Sequence, residues 1–413
     1  MNRVWPVAAL FVMAAAIALP CIEQCGSLWP DAARYGNAAS MIHDWLLSGD
    51  WTQPLAFAQQ NYRQYPGFGI PYHPPVYPGM LGLSFVIFGE DYTTARVFVA
   101  SCLALIGVAF MWTEREMGRA AVPALLGAMM VVSLPELMVW SRDTMSEVPA
   151  LAMFLLATTC FVRWSRGGSP WLLVLAYALA ECAFLSRVTT ATLMPAWYLW
   201  LFTTERWKLA FSKTSIVFGV LYVGVNAAWV KLVVAPLSQY EITNSVIWNA
   251  AEPFSLRILL AYLESVPAAA GWGTLALCLI GLVFGFLRRK EAGEEPGFPR
   301  LWLIWAGVVL LALLYKGIYE QRYITFGIVA LGGFAAAAIA LVARRVGLGL
   351  GAVLALAGVA ANVATVYPVP RGISGYPEVV SSLSKTTDHG NILTAMWYDQ
   401  DFMFRLRLTD PTV

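Results

Sequence analysis

The sequence predicts an all-α polytopic integral membrane protein. It has about eleven transmembrane helices, a long first outer loop carrying interfacial helices, and a short outer-face C-terminal tail. Composition is the first sign: 59% of the 413 residues are hydrophobic and 13% are charged, about half the roughly 25% usual in soluble domains. The second is the recurrence of long apolar runs, and the third is the placing of Arg and Lys clusters beside alternate run ends. A net charge of +2 excludes a chain built for nucleic acid or an acidic polymer. The partners it implies are membrane lipids.

The first run, Val4 to Ile22, follows Asn2-Arg3. Ala14-Ala15-Ala16 imitates a signal-peptidase site, but the loop that follows needs an anchor, so the run is read as a retained span. Further spans are expected near Thr93–Trp112, Ala121–Val139, Val148–Val162, Trp171–Leu185, Thr190–Phe202, Ile216–Val234, Pro267–Leu287, Leu301–Leu314, Tyr323–Val342 and Leu348–Val366. One more run, Val76–Phe88, is ambiguous. If it does not cross, Arg115 and Arg119, Arg163 and Arg166, Arg206 and Lys208, Arg288-Arg289-Lys290, and Arg344-Arg345 share one side with the N-terminus. The positive-inside rule makes that side cytoplasmic. The stretch His73–Phe88 is therefore read as lying in the outer interface, where its prolines and glycines are tolerated if protein shields them.

Residues 1–366 then form one transmembrane unit, with 23–92 as its first outer loop. Residues 367–413 are an outer-face tail, either a docked appendage or the start of a truncated soluble domain. Within the tail, Gly390–Met396 reads as a strand. Cys102, Cys160, Cys182 and Cys278 sit in apolar runs as core filler, whereas Cys21 and Cys25 lie near the outer face and could pair in an oxidising compartment.

The chemistry-bearing residues gather at the outer ends of spans. Asp31 precedes Ala32-Ala33-Arg34-Tyr35 and reads either as a helix N-cap or as a catalytic carboxylate. In Ser141–Glu147, Asp143 and Glu147 stand at i and i+4 beside Arg142. Glu147 either favours a helix N-terminus or faces a polar cavity. Between two later spans, Lys316, Arg322 and Tyr323 suit an anionic phosphate, or else snorkel within an aromatic belt. His73 and Arg187 add two cationic candidates.

These motifs resemble a known group. Asp31 with Tyr35, His73-Pro74-Pro75-Val76-Tyr77-Pro78, Phe88-Gly89 and Ala95-Arg96 are similar to the opening of the GT-C glycosyltransferases of the protein O-mannosyltransferase and lipid A aminoarabinose-transferase type. Ser141-Arg142, Glu147-Val148-Pro149, Leu185-Ser186-Arg187 and Gln321-Arg322-Tyr323 resemble the later motifs, in the same order. The resemblance implies an inverting transfer of a sugar from a polyprenyl-phosphate carrier to an acceptor on the non-cytoplasmic face of a bacterial inner membrane. It implies Asp31 as the base, with Glu147 as the second catalytic acid. Arg34, Tyr35, His73, Arg142, Arg187, Lys316, Arg322 and Tyr323 would surround the substrate and the donor phosphate. Two departures stand out: Ala32 occupies the place of a second acid, and Arg187 that of a lysine.

The residues suit that chemistry. A lipid phosphate gathering negative charge needs fixed cations, and the acceptor oxygen needs a base on the opposite face of the sugar. No cofactor is required. A divalent metal is optional, with His73, Asp143 and Glu147 as its candidate ligands. The acceptor is open among protein, lipid A, wall polymer and other lipids. The rival reading, a multi-pass transporter or lipid-binding protein, would place its charges near the midplane rather than at the outer ends.

Overall fold

The computed structural model describes residues 4–20, 29–65, 73–235, 252–287, 300–317, 319–367, 376–386 and 399–409, and every regular element among them is helical. The expected Cys21–Cys25 pair, the Arg288-Arg289-Lys290 cluster and the Gly390–Met396 strand lie outside the described residues. Among the described residues, five helices are long and apolar enough to cross a bilayer, or up to seven if each of two sharply bent pairs is one span. Several of the other expected runs form helices shorter than that length. Val4–Ala18 and Pro170–Phe184 have 15 residues each, and Met194–Phe202 has 9.

The first helix, α1 (Val4–Ala18), leads to three helices of the outer loop. These are α2 (Pro30–Ser48), α3 (Pro54–Gln64) and α4 (Val76–Phe88). α2 has Pro30 at its first position, where the missing N–H is harmless. It stops at Gly49, whose φ of 72° is open to glycine. The 13 residues of α4 extend roughly 20 Å, short of the roughly 30 Å hydrocarbon core. The helix instead packs along α2.

The bundle follows as α5 (Tyr92–Glu116), α6 (Ala121–Val132), α7 (Pro135–Ser141), α8 (Glu147–Ser165), α9 (Pro170–Phe184) and α10 (Met194–Phe202). The single run expected at Ala121–Val139 is bent by 62° between α6 and α7, because Pro135 cannot continue the ladder of the preceding turn. Next come α11 (Lys213–Trp229), α12 (Leu256–Ala270), α13 (Trp272–Leu287), α14 (Arg300–Lys316), α15 (Thr325–Arg345) and α16 (Leu348–Val366). α12 and α13 meet at 108°. Gly271 makes that corner possible: its φ is 79°, and a Cβ there would lie 2.1 Å from Asn362 Oδ1.

Aromatic stacking welds the middle of the bundle. Trp197 stacks on Phe154 at 5.0 Å and on Phe161 at 4.6 Å, between α10 and α8. At the end of the bundle carrying Arg115 and Arg119, a buried ion pair ties three helices. Arg119 donates to Glu114 and, at 3.2 Å, to the Ala336 carbonyl, while Trp302 donates to Glu114 at 2.7 Å. That cluster fixes α14 and α15 against the end of α5. Later in the chain, α17 (Tyr376–Thr386) and α18 (Asp399–Thr409) form the described part of the tail, and α18 packs on α2.

Close packing of α4 on α2 sets the position of α2, and so of Asp31. A Cβ on Gly82 would meet the Ala39 carbonyl oxygen at 2.7 Å, whereas one on Gly79 would meet nothing within 4 Å. Gly82→Ala should therefore cost about 1–3 kcal/mol, and Gly79→Ala should be near neutral. Thermal unfolding of the two variants in one detergent checks this; equal midpoints would refute the contact.

Candidate active site

The ends of several helices converge on one charged centre. Asp31 comes from the first turn of α2, Glu147 from the first turn of α8, and Arg187 from the turn after α9. Lys316 ends α14, and Arg322 and Tyr323 lie in the 3-10 turn Gln321–Ile324 that opens α15. His73 precedes Pro74-Pro75 at the start of α4, whose first N–H, on Val76, donates to the Leu185 carbonyl at 2.9 Å. That backbone bond fixes the histidine loop to the arginine turn.

Arg322 is the hub. Its Nη1 donates to Asp31 Oδ2 at 2.9 Å, its Nε faces Glu147 Oε1 at 3.9 Å, and it pairs with Glu320. Glu147, fully buried, also pairs with Arg187 at 2.8 Å. Asp31 Oδ1 faces His73 Nε2 at 3.7 Å and Arg34 at 3.6 Å. Burial raises the Asp31 carboxyl pKa, but His73 and Arg322 outweigh it and hold the group well below the usual carboxylate range. Asp31 is thus ionised in the resting site. Trp29, not Asp31, occupies the N-cap, with no side-chain capping bond. The carboxylate is not spent on the helix end.

A second chain of contacts crosses the site. Arg187 Nη1 donates to Ser146 Oγ at 3.0 Å, and Ser146 donates to the Tyr35 hydroxyl at 2.8 Å. Tyr35 lies 3.3 Å from His73 Nδ1. Burial pushes the Tyr35 phenol well above its ordinary range, so it keeps its proton. The Tyr35 hydroxyl and Nδ1 share a hydrogen bond whose direction follows the ring's tautomer, and Nε2 of the ring faces Asp31. Lys316 Nζ sits 3.7 Å from the centre of the Tyr323 ring. Its amine is pushed down to about 8, first by burial and then by the neighbouring Arg187 charge. Beside it, a cavity of about 40 Å³ is walled by Val309, Leu313, Phe326 and Thr192.

Two comparisons with known proteins find similarity. The family described as dolichyl-phosphate-mannose-protein mannosyltransferase matches residues 72–230. The crystal structure of ArnT from Cupriavidus metallidurans bound to undecaprenyl phosphate superposes with a TM-score of 0.67 at 16% identity, covering 98% of this chain and 85% of that one. The chain has the GT-C glycosyltransferase fold. The apo state of the same ArnT gives 0.65 at 16% identity, covering 98% of this chain and 84% of that one. AglB, an archaeal oligosaccharyltransferase from Archaeoglobus fulgidus in complex with an inhibitory peptide and a dolichol-phosphate, gives 0.53 at 12% identity, covering 98% of this chain and 60% of that one. No curated protein matches the sequence.

The GT-C fold brings together nine of the residues singled out in the sequence: Asp31, Arg34, Tyr35, His73, Glu147, Arg187, Lys316, Arg322 and Tyr323. Asp31 and Arg322 lie outside the matched segment 72–230, so the fold alone joins them to it. Arg142 is placed elsewhere: its Nε donates to the Ile17 carbonyl at 2.9 Å and its guanidinium lies over Tyr367 at 5.3 Å. Asp143 accepts from the Thr144 N–H at 2.8 Å. Among the described residues, His73, Asp143 and Glu147 do not converge as a metal-ligand group, and Glu147 is engaged by two guanidinium groups. Ser146, Glu320 and Trp29 were not singled out; the Arg322 guanidinium lies 5.2 Å from the Trp29 ring centre.

Glu147 neutralises cations that are themselves buried. Removing one partner of such a set leaves an uncompensated charge, at about 3–5 kcal/mol. Glu147→Gln should lose stability on that scale in denaturant unfolding, and a change below 1 kcal/mol would contradict the network.

Proposed function

We propose that the chain is an inverting glycosyltransferase. It moves a sugar from a polyprenyl-phosphate carrier to an acceptor on the non-cytoplasmic face of the cell membrane. One observation carries the reading: three cations from separate helix ends, Arg187, Lys316 and Arg322, converge at one centre with the ionised carboxylate of Asp31, while Glu147 and Glu320 partner the two arginines. The basic clusters at the far ends of α8 and α15 support the outward orientation. Residues 1–366 act as the catalytic unit, and the tail docks on its loop helices.

The donor phosphate sits against Lys316 and Arg322, and the first part of its prenyl chain lies along the apolar cavity at Leu313 and Phe326. An anion there competes with Asp31 for Arg322. As that pairing loosens, the carboxylate grows more basic, because the charge that depressed it now serves the phosphate. The acceptor hydroxyl gives its proton to Asp31 as its oxygen bonds to the anomeric carbon. The bond from that carbon to the phosphate oxygen breaks on the opposite face, and its electron pair leaves with the lipid phosphate, where the cations stabilise it. Attack from the opposite face inverts the anomeric centre. Glu147 holds Arg187 and Arg322 in place through the reaction.

Asp31→Asn should keep the fold and still bind polyprenyl phosphate, yet lose transfer by roughly 10²–10⁴-fold. Radiolabelled polyprenyl-phosphate sugars presented to membrane fractions measure the loss. Full activity in this variant removes Asp31 from the mechanism. Failure of the parent to transfer any sugar of the panel favours a transporter or lipid-binding protein.

The amine of Lys316 sets a pH limit. Below about pH 8 it carries the proton that attracts phosphate, and above that it is neutral. kcat/KM for the donor should fall as pH rises through about 8. Lys316→Arg, whose charge does not titrate there, should remove that fall. An unchanged profile in the variant would exclude Lys316 from donor binding.

A further inference from the structure

A second polar cavity, of about 230 Å³, opens between α2, α3 and the C-terminal helix α18, lined by Asp44, Phe57, Asn61, Tyr65, Glu90 and Arg407 together with the amides of Gln60 and Gln64. Asp44 stands 13 residues beyond Asp31 on α2, roughly 20 Å along the helix axis. The cavity is therefore separate from the charged centre.

Three of its buried polar atoms have no hydrogen-bond partner among the described residues: Arg407 Nη1, Asn61 Oδ1 and Glu90 Oε1. Arg407 is 4% exposed and Asn61 is 8% exposed. Leaving such groups dry and unpaired is costly, so the cavity is built for something that donates and accepts hydrogen bonds. Arg407 already pairs with Asp44, faces Glu90 at 3.7 Å, and lies 4.7 Å from the centre of the Tyr65 ring. His43, Asp44 and Glu90 bring ligand atoms within 4.8 Å of one another, but the guanidinium on both carboxylates already supplies the positive charge a metal would bring. Two carboxylates against one arginine also disfavour an anion.

What fits is a neutral, many-hydroxyl ring. Carboxylates, amides and a guanidinium offer paired donors and acceptors at several heights, and Phe57 and Tyr65 offer apolar surface. The volume lies below the roughly 300–1,000 Å³ of drug-sized sites, which suits one ring rather than several. We propose that this cavity is a sugar-binding subsite that holds one monosaccharide unit of a glycan acceptor, well away from the reacting atoms. The acceptor role rests on the glycosyltransferase reading. Binding energy gathered at such a distance serves to position the reacting hydroxyl.

Saturation-transfer NMR on the full chain in detergent, with glucose, mannose, galactose and N-acetylglucosamine at millimolar concentration, tests the site directly. At least one sugar should give a signal. Gln60→Trp, which fills the cavity from its exposed rim, should weaken that signal at least tenfold while leaving polyprenyl-phosphate binding unchanged. Asn61→Leu serves as a second variant should the first fail to fold. No signal in the parent, or an equal signal in the variants, overturns the subsite and leaves the transferase reading standing. In the transfer assay the bound sugar should raise KM for a glycan acceptor and not for the donor. Competition with the donor instead would overturn the acceptor role. A parent that binds the sugar but neither binds polyprenyl phosphate nor transfers would sink the transferase reading, and the acceptor role with it.

Discussion

One guanidinium organises the outer end of this molecule. Arg322 is shared by Asp31, Glu147 and Glu320, which reach it from α2, from α8 and from its own turn. Buried charges are tolerated only when paired, so these elements cannot take independent positions. The bent α6–α7 pair, the α4–α2 contact and the backbone bond from Val76 to Leu185 all hold helix ends near this centre. At the other end of the bundle a second buried ion pair fixes α14 and α15 against the end of α5.

The resting network also explains how a carboxylate can wait beside cations. Asp31 stays ionised because Arg322 and His73 hold it so, and in that state it is a weak base. A ligand phosphate changes this by taking a share of the arginine. The site is thereby arranged so that donor binding and base activation are linked through one side chain. The Tyr35–Ser146–Arg187 chain keeps the histidine ring oriented from behind.

Much of this was legible in the sequence. Charges at the ends of apolar runs marked Asp31, Glu147, Arg187 and Arg322, because a charge beside hydrocarbon needs a reason to be there. The reading of Asp31 as a helix cap failed by two residues: Pro30 starts the helix, and Trp29 takes the cap position. Arg142 looked equivalent to Arg187, but it turns toward the Ile17 carbonyl, and nothing in spacing alone separates the two. Ser146 acts as a bridge through one hydroxyl, which leaves no periodic trace. Glu320 stands two residues from Arg322, and a local pair of that kind reads as surface charge until burial is known. The number of spans is left open by apolar runs alone. Apolar runs report burial in lipid or in protein alike, and short helices such as α9 and α10 satisfy both.

The docking of α18 on α2 has a consequence for how the chain assembles. Arg407 and its partner Asp44 are 363 residues apart, and the ring of Phe404 lies against Gly36 so closely that a Cβ there would come within 2.9 Å of it. During synthesis the outer flank of α2 stays uncovered while the bundle inserts, and it is sealed only when this late helix arrives. Contacts of such long sequence separation form slowly. The loop that carries Asp31 is thus completed by a helix whose Arg407 is made 363 residues after its partner Asp44, so the order of translation sets the moment at which this wall of the molecule becomes rigid.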